Sequence, residues 1–315
     1  MPGGSSTTQA IGPQLSQRTR TLQQGSLTAK MVFGRLTGYT RKFAEEKQLP
    51  PFIHPSCYPG EQNQCPPGAR HRCLPGTLAV CANLAQMFYS RLPGSHGFVW
   101  QQICAHLRQL QSEYATYDMI NMLQGMQAAV VYGILCSQCT ESVSVEDAAW
   151  LVETIEDFGE RLYDVCIWGL DARHVCLSRV EWVFLESLRR IYCVLFLIDL
   201  LLRTDGPTPA SEECPEFYGM PLPCSRDLWQ TESDLDWQKR YQEHIGKRAV
   251  RGGQGPTFRD LLAAGWPSRQ KDRLIRPDNV QSGNELANWC ENADDLSMLL
   301  WMALTIERDT EPHNN

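Results

Sequence analysis

Cysteine and histidine are the residues of this chain best suited to chemistry. Cys57, Cys65, Cys73 and Cys81 fall at even steps of eight, with His54 and His71 nearby. Thiolates and imidazoles bind zinc, but zinc sites draw ligands in close pairs, two to four residues apart, so that one turn supplies two. Steps of eight provide no such pair. A CxxC does occur at Cys136-Ser-Gln-Cys139, inside a predicted helix and without a second pair. Core thiols are the better reading, since free cysteine behaves as a small hydrophobe. Neither a metal nor a cofactor is expected.

Nucleophile and phosphate motifs are missing as well. The chain has no GxSxG, no HExxH and no GxxxxGK[ST]. Arg251-Gly-Gly-Gln-Gly-Pro256 is glycine-rich but follows no strand and does not fit GxGxxG, so it reads as a loop. Glu153, Glu156, Asp157, Glu160 and Asp164 could act as acids and bases, yet their helical spacing makes them a solvated face. His54 sits among prolines and reads as a structural histidine. No catalytic constellation emerges, and an enzyme is not expected.

Charge leaves one feature. The net charge is −7, from 29 basic and 36 acidic side chains. That balance opposes a whole-surface nucleic-acid binder, which needs excess Lys and Arg. Residues 239–276 nevertheless hold ten Lys or Arg against three acids. Lys247, Arg248 and Arg251 are its candidate contact residues, for phosphate, an acidic partner or an import receptor. A solvated loop is the plainer reading of the same residues.

The elements that must position these residues are helices. Ten of the 19 prolines lie in residues 1–93 and eight in 207–277, with none between Gly94 and Gly206. Proline breaks helix interiors, so this stretch permits long ones. Leu151, Ile155, Phe158, Leu162 and Val165 step as one helix face. Ser144 with Asp147 resembles a capping box. Val175–Arg203 reads as a central buried helix. Others are predicted at Leu27–Glu46, Leu78–Arg91, Phe98–Tyr117, Met119–Cys139, Arg226–His244 and, as the last, Leu286–Ile306. The fold class is all-α. The domain plan is a disordered tail over 1–25, one helical domain over 26–308 and a short tail over 309–315. Residues 246–283 form a basic Gly/Pro-rich loop insert, with a short helix around Thr257–Ala264. A chain of this length buries about 75% of its unfolded surface and needs no staple. No signal peptide is apparent. The longest apolar run, Ile191–Leu202, falls short of a membrane span and reads as a buried helix.

Six segments, in order, carry a family resemblance. Leu49-Pro50-Pro51-Phe52-Ile53-His54-Pro55 resembles a motif in the C-terminal regions of fungal binuclear zinc-cluster transcription factors, above all the regulators of secondary-metabolite gene clusters. Leu74–Phe88, ending in Gln86-Met87-Phe88, is similar to their LPxPLAxCxxxAQMF segment. Met126–Tyr132 is similar to a helix opening on a Gln-Ala pair. Trp182–Arg190, with Glu186 and Arg189, resembles W-x-F-x-E-S-x-R-R. Met220–Trp229 resembles a proline-bounded LPxxxxLW element. Leu286–Ile306, with Trp289 and Asp294, matches the last amphipathic helix.

The resemblance spans about residues 27–306. It implies a helical regulatory domain working through protein contacts in the nucleus, with these motif residues in structural roles. Family members that read DNA carry a six-cysteine cluster, whereas residues 1–56 hold no cysteine. The chain is therefore expected either to act as a stand-alone regulator or to come from a gene whose 5′ segment has been missed. On the first reading it reaches DNA only indirectly, through a DNA-binding homologue or a transcription cofactor, as a homo- or heterodimer. No membrane association is expected. The alternative is an all-α small-molecule-binding protein or enzyme of the same pathway, with a ligand held in an apolar cavity between helices.

Overall fold

The computed structural model describes residues 15–17, 27–46, 48–55, 74–139, 143–169, 177–204, 218–250, 255–265, 280–304 and 306. Eleven helices run through them. In chain order they are α1 (Leu27–Glu45), α2 (Gly76–Tyr89), α3 (His96–Glu113), α4 (Met119–Cys136), α5 (Val145–Gly169), α6 (Arg179–Leu201), α7 (Arg226–Trp229), α8 (Asp234–Val250), α9 (Phe258–Gly265), α10 (Val280–Glu291) and α11 (Asp295–Ala303). The all-α expectation holds. One short ladder accompanies the helices: β1 (Leu15–Gln17) pairs antiparallel with β2 (Leu202–Thr204), with Ser16 opposite Arg203. Strand β1 lies inside the segment expected to be a disordered tail; the rest of 1–25 and all of 309–315 fall outside the described residues.

Helix α4 is the hub. Every residue from Met122 to Cys136 is buried, and the helix packs against α1, α2, α3, α5 and α6. It is long and apolar enough to cross a membrane by length and composition, which the sequence reading did not register. Here 83% of it is enclosed by the other helices. Asp118 caps its start by accepting from the Asn121 amide at 2.8 Å, satisfying a donor that the helix itself cannot. Gly125 brings α5 in close, since a Cβ there would lie 2.9 Å from the Phe158 ring.

Helix starts follow sequence signals. Ser144 Oγ accepts from the Asp147 amide at 3.0 Å, the expected cap of α5. Ser178 and Glu181 form a reciprocal box before α6, with the Ser178 amide donating to Glu181 at 2.8 Å. Thr257 and Asp260 repeat the arrangement before α9. Residues 220–222 run beside 256–258, with Leu222 N donating to Pro256 and Phe258 N to Met220, both at 2.9 Å.

Three sequence expectations need correction. The helix expected over Arg226–His244 is two, α7 and α8, parted at 230–233. There Arg179 takes the Thr231 carbonyl at 2.6 Å and the Glu232 carbonyl at 3.1 Å, holding the chain in a link. The final helix expected over Leu286–Ile306 is also two, α10 and α11, because Asp294 turns to cap the second. The 246–283 insert is not a loop throughout. It begins in α8, contains α9 near the expected short helix and ends in α10.

Gly125→Ala is expected to destabilise the fold by about 1–3 kcal/mol, because the Phe158 ring must be displaced from a packed core. A lowered urea midpoint at unchanged slope would show it. A midpoint equal to that of the unaltered chain would mean that α4 and α5 can separate freely.

Candidate functional site

The motif residues converge on one buried guanidinium. Arg190, on α6, is fully buried, as is Glu186 one turn earlier. Arg190 Nε donates to Glu186 Oε1 at 2.9 Å, and Nη1 donates to Asp294 Oδ2 at 2.5 Å. The remaining N–H groups reach the Pro51 carbonyl at 3.2 Å and the Cys224 carbonyl at 3.4 Å. Its face lies 4.1 Å from the centre of the Trp229 ring. Four parts of the chain therefore meet on one side chain: the strap, α6, the 220–229 segment and Asp294.

The carboxylates are satisfied in turn. Glu186 also accepts from the Cys224 amide at 2.8 Å and from Arg189. Asp294 Oδ1 accepts from Ser297 N at 3.0 Å and Ser297 Oγ at 2.9 Å, capping α11. Burial alone would lower the pKa of Arg190, but the charges of Glu186 and Asp294 hold it above the ordinary arginine value. Burial likewise works against the Asp294 carboxylate, and Arg190 with Ser297 more than reverses this, keeping its pKa below the usual 3.8. Both groups stay ionised, and their charges cancel inside the fold.

Aromatic rings close the other side. His54 meets Trp229 edge-on at 4.6 Å and Trp182 at 6.4 Å. Trp182, Trp229, Trp237 and Tyr241 form a second small core, with Trp237 stacked on Tyr241 at 4.7 Å. Burial pushes the pKa of His54 down to about 3, the Arg179 charge adds to this, and a backbone bond at Trp229 opposes it. The ring is therefore neutral throughout the physiological range.

Leu49–Pro55 serves as a strap over this centre. Pro50 accepts from the Ile53 amide at 2.9 Å, and Pro51 presets the second position of that turn. Phe52 and Ile53 enter the core, while Pro55 remains exposed. Gln127 of α4 donates to the Phe52 carbonyl at 2.8 Å, tying strap to hub. Trp289 of α10 donates to the Pro223 carbonyl at 2.8 Å, fixing the segment that presents Cys224.

Other candidates lie elsewhere. Gln86 and Met87 are exposed on α2, and Phe88 is buried there under Arg91, at 3.8 Å. Lys247 and Arg248 continue α8, and Arg251 lies outside the described residues, as do Cys57, Cys65, Cys73 and His71. Cys81 is a buried core thiol, its pKa pushed up to about 12 by burial. Among the described residues no three His, Cys, Asp or Glu side chains are grouped to hold a metal ion. Asp294 was named only within the last motif segment, and Gln127 and Cys224 lie inside motif segments without having been singled out. Asp294 carried a usable signal, an Asp just before the apolar run of α11.

A cleft of about 1010 Å³ opens beside the network. Its walls are α1, the strap, the start of α6, residues 226–232 and the Asp294–Asp295 corner. Charged and polar side chains such as Arg35, Lys42, Glu46 and Gln48 share its lining with prolines and Trp229, unlike the apolar cavity that the alternative reading envisaged. Comparison of the chain with family models, curated proteins and solved structures finds no match.

Arg190→Met is expected to cost about 3–5 kcal/mol, since it strands two buried carboxylates. Arg190→Lys also loses stability, because one ammonium cannot reproduce the forked contacts. Urea unfolding within 1 kcal/mol of the unaltered chain would remove the network from this central place. A pH effect follows from His54. Above about pH 6.5 the ring is neutral in both states. Below it the unfolded chain takes up a proton that the folded chain refuses until about pH 3. Stability should therefore fall as pH drops from 6.5 to 4.5, by up to about 1.4 kcal/mol per unit from this residue. His54→Gln should reduce that slope by about one proton. An unchanged slope would place the effect on other groups.

Proposed function

We propose that this chain is a transcriptional regulator similar to the C-terminal regulatory regions of fungal zinc-cluster transcription factors. On this reading it controls a secondary-metabolite gene cluster through protein contacts in the nucleus. The observation that carries the reading is spatial. Segments that resemble the family at 49–55, 126–132, 182–190, 220–229 and 286–306 meet around Arg190 and its neighbours. Six matches in chain order could be separate coincidences. The closure of five of them into one hydrogen-bonded unit supports a resemblance carried by a shared core.

Exposed apolar side chains support action by contact. Leu27 and Met31 stand four residues apart on α1, at 74% and 53% exposure, and Met298 and Trp301 stand three apart on α11, at 44% and 39%. The two helices pack together, with Arg35 bridging to Asp295 at 2.6 Å. Apolar groups left in water on neighbouring helices suit a protein partner, either a DNA-binding homologue or a transcription cofactor.

Deleting the gene is expected to change transcript levels across a co-located biosynthetic cluster. The purified chain alone should leave duplex DNA unshifted in a mobility assay. Met31→Glu with Met298→Glu should keep stability within about 0.5 kcal/mol, as exposed substitutions usually do, while losing the transcript effect. Unchanged transcripts on deletion would defeat the regulatory reading, and sequence-preferring DNA binding by the chain alone would defeat the partner-dependent part.

A further inference from the structure

The hairpin of α2 and α3 has a charge pattern unlike the rest of the chain. None of the 36 Asp and Glu side chains lies between Gln62 and Ser112. Over 74–112 the side chains that carry a full charge at neutral pH are Arg91 and Arg108, and both are engaged within the fold. Arg91 lies over the Phe88 ring at 3.8 Å, and its Nε donates to His96 Nδ1 at 2.9 Å. Arg108 lies over the Trp150 ring at 5.2 Å and pairs with Asp147 at 3.7 Å. The two helices therefore show water a nearly uncharged surface on an acidic protein.

That surface is also apolar. Val80 and Met87 on α2 are 42% and 36% exposed, and Leu92 in the turn and Phe98 at the start of α3 are 74% and 58% exposed. Among the described residues these are four of the ten large apolar side chains left in water. Arg91 braces the end of α2 against the start of α3, so Leu92 and Phe98 flank a fixed turn. Scattered apolar groups are ordinary on a surface, but several on one uncharged hairpin mark an interface. The exposed polar side chains beside them include Asn83 and Gln86 on α2 and Gln101 and Gln102 on α3, all of them amides.

Such a surface is matched by a copy of itself. Each amide carries both donors and an acceptor, and apolar groups have no sign. A surface dominated by one sign of charge lacks this property, because a two-fold axis sets like against like. An isologous interface has to be self-complementary. Two copies of a chain with net charge −7 repel through most of their surfaces, and the acid-free hairpin is where that repulsion is least. An anionic lipid surface would instead call for free cations, whereas Arg91 and Arg108 are already engaged.

We propose that the α2–α3 hairpin is a self-association face, on which a second copy of this chain docks across a two-fold axis with Met87, Leu92 and Phe98 as apolar anchors. It is separate from the exposed pairs on α1 and α11, so a monomeric chain would leave the regulatory reading intact. Helices of 14 and 18 residues offer an interface at the small end of the stable range, so association is expected in the micromolar range. Sedimentation velocity of the full chain from about 1 to 300 µM should show monomer giving way to dimer. Met87→Glu with Phe98→Glu should stay monomeric throughout, as should Met87→Lys with Phe98→Lys, with circular dichroism and urea midpoint close to the original. Mixed in equal amounts, the two variants should associate, because opposite charges then face each other; damage to the fold would not give that recovery. Leu92→Glu, in the turn, reads the same face where α3 does not tolerate a charge at Phe98. A chain that remains monomeric at every concentration would overturn the proposal. So would a dimer that these substitutions leave unaltered, or one that Met31→Glu with Met298→Glu abolishes. Co-sedimentation with phosphatidylcholine vesicles without self-association would give the face to a lipid surface and overturn it equally.

Discussion

A positive charge with no access to water must be neutralised on every side, and that requirement organises this fold. Arg190 is fully buried. Removing one such ion from water costs several kcal/mol, and only a complete set of partners offsets it. The partners here are two carboxylates, two carbonyls and one aromatic face, drawn from four stretches of sequence. An apolar core would tolerate small shifts of α11 or of the strap. A charge network does not, because each displaced partner leaves a charge uncompensated. Buried ion pairs are weak contributors to net stability but can discriminate sharply between arrangements. The network is best understood as selecting one packing of α6, α11 and the strap.

The hydrophobic layer and the polar centre do different work. Helix α4 is buried along 15 consecutive residues and adds to the driving force through apolar area removed from water. It carries little positional information, since apolar contacts have no direction. Gln127 is one exception: it reaches from the hub to the Phe52 carbonyl at 2.8 Å and converts a greasy contact into a fixed register. The strap is thus held from both sides, by an amide on α4 and by the guanidinium on α6.

Much of the fold was legible in sequence because helical periodicity is local. The absence of proline between Gly94 and Gly206 and the repeat at Leu151, Ile155, Phe158 and Leu162 placed α3 to α6 to within a few residues. The two breaks were not legible. Across Gln230–Ser233 and Asn292–Asp294 the apolar spacing carries on, so pattern alone joins the helices. What divides them is tertiary: Arg179 binds carbonyls of the first link, and Arg190 claims the Asp294 side chain in the second. The site was half legible. Trp182, Glu186, Arg189, Arg190 and the strap were picked out by resemblance. That they share one centre with Asp294 and Cys224 depends on contacts more than 30 residues apart, which no local pattern encodes. The acidic face of α5 illustrates the reverse, since among the described residues no three of its carboxylates are grouped to hold a metal ion.

The distances along the chain between these partners also bear on synthesis. Pro51 precedes Arg190 by 139 residues, and Asp294 follows it by 104. At about 5–20 residues per second, roughly 5–20 s separate the appearance of the guanidinium from that of its second carboxylate. During that interval α6 cannot settle into its final environment without stranding a charge. The apolar helices around α4, already made, have every reason to collapse. A growing chain of this design therefore has to hold its core open until α11 emerges, and that interval is when a folding helper would matter most.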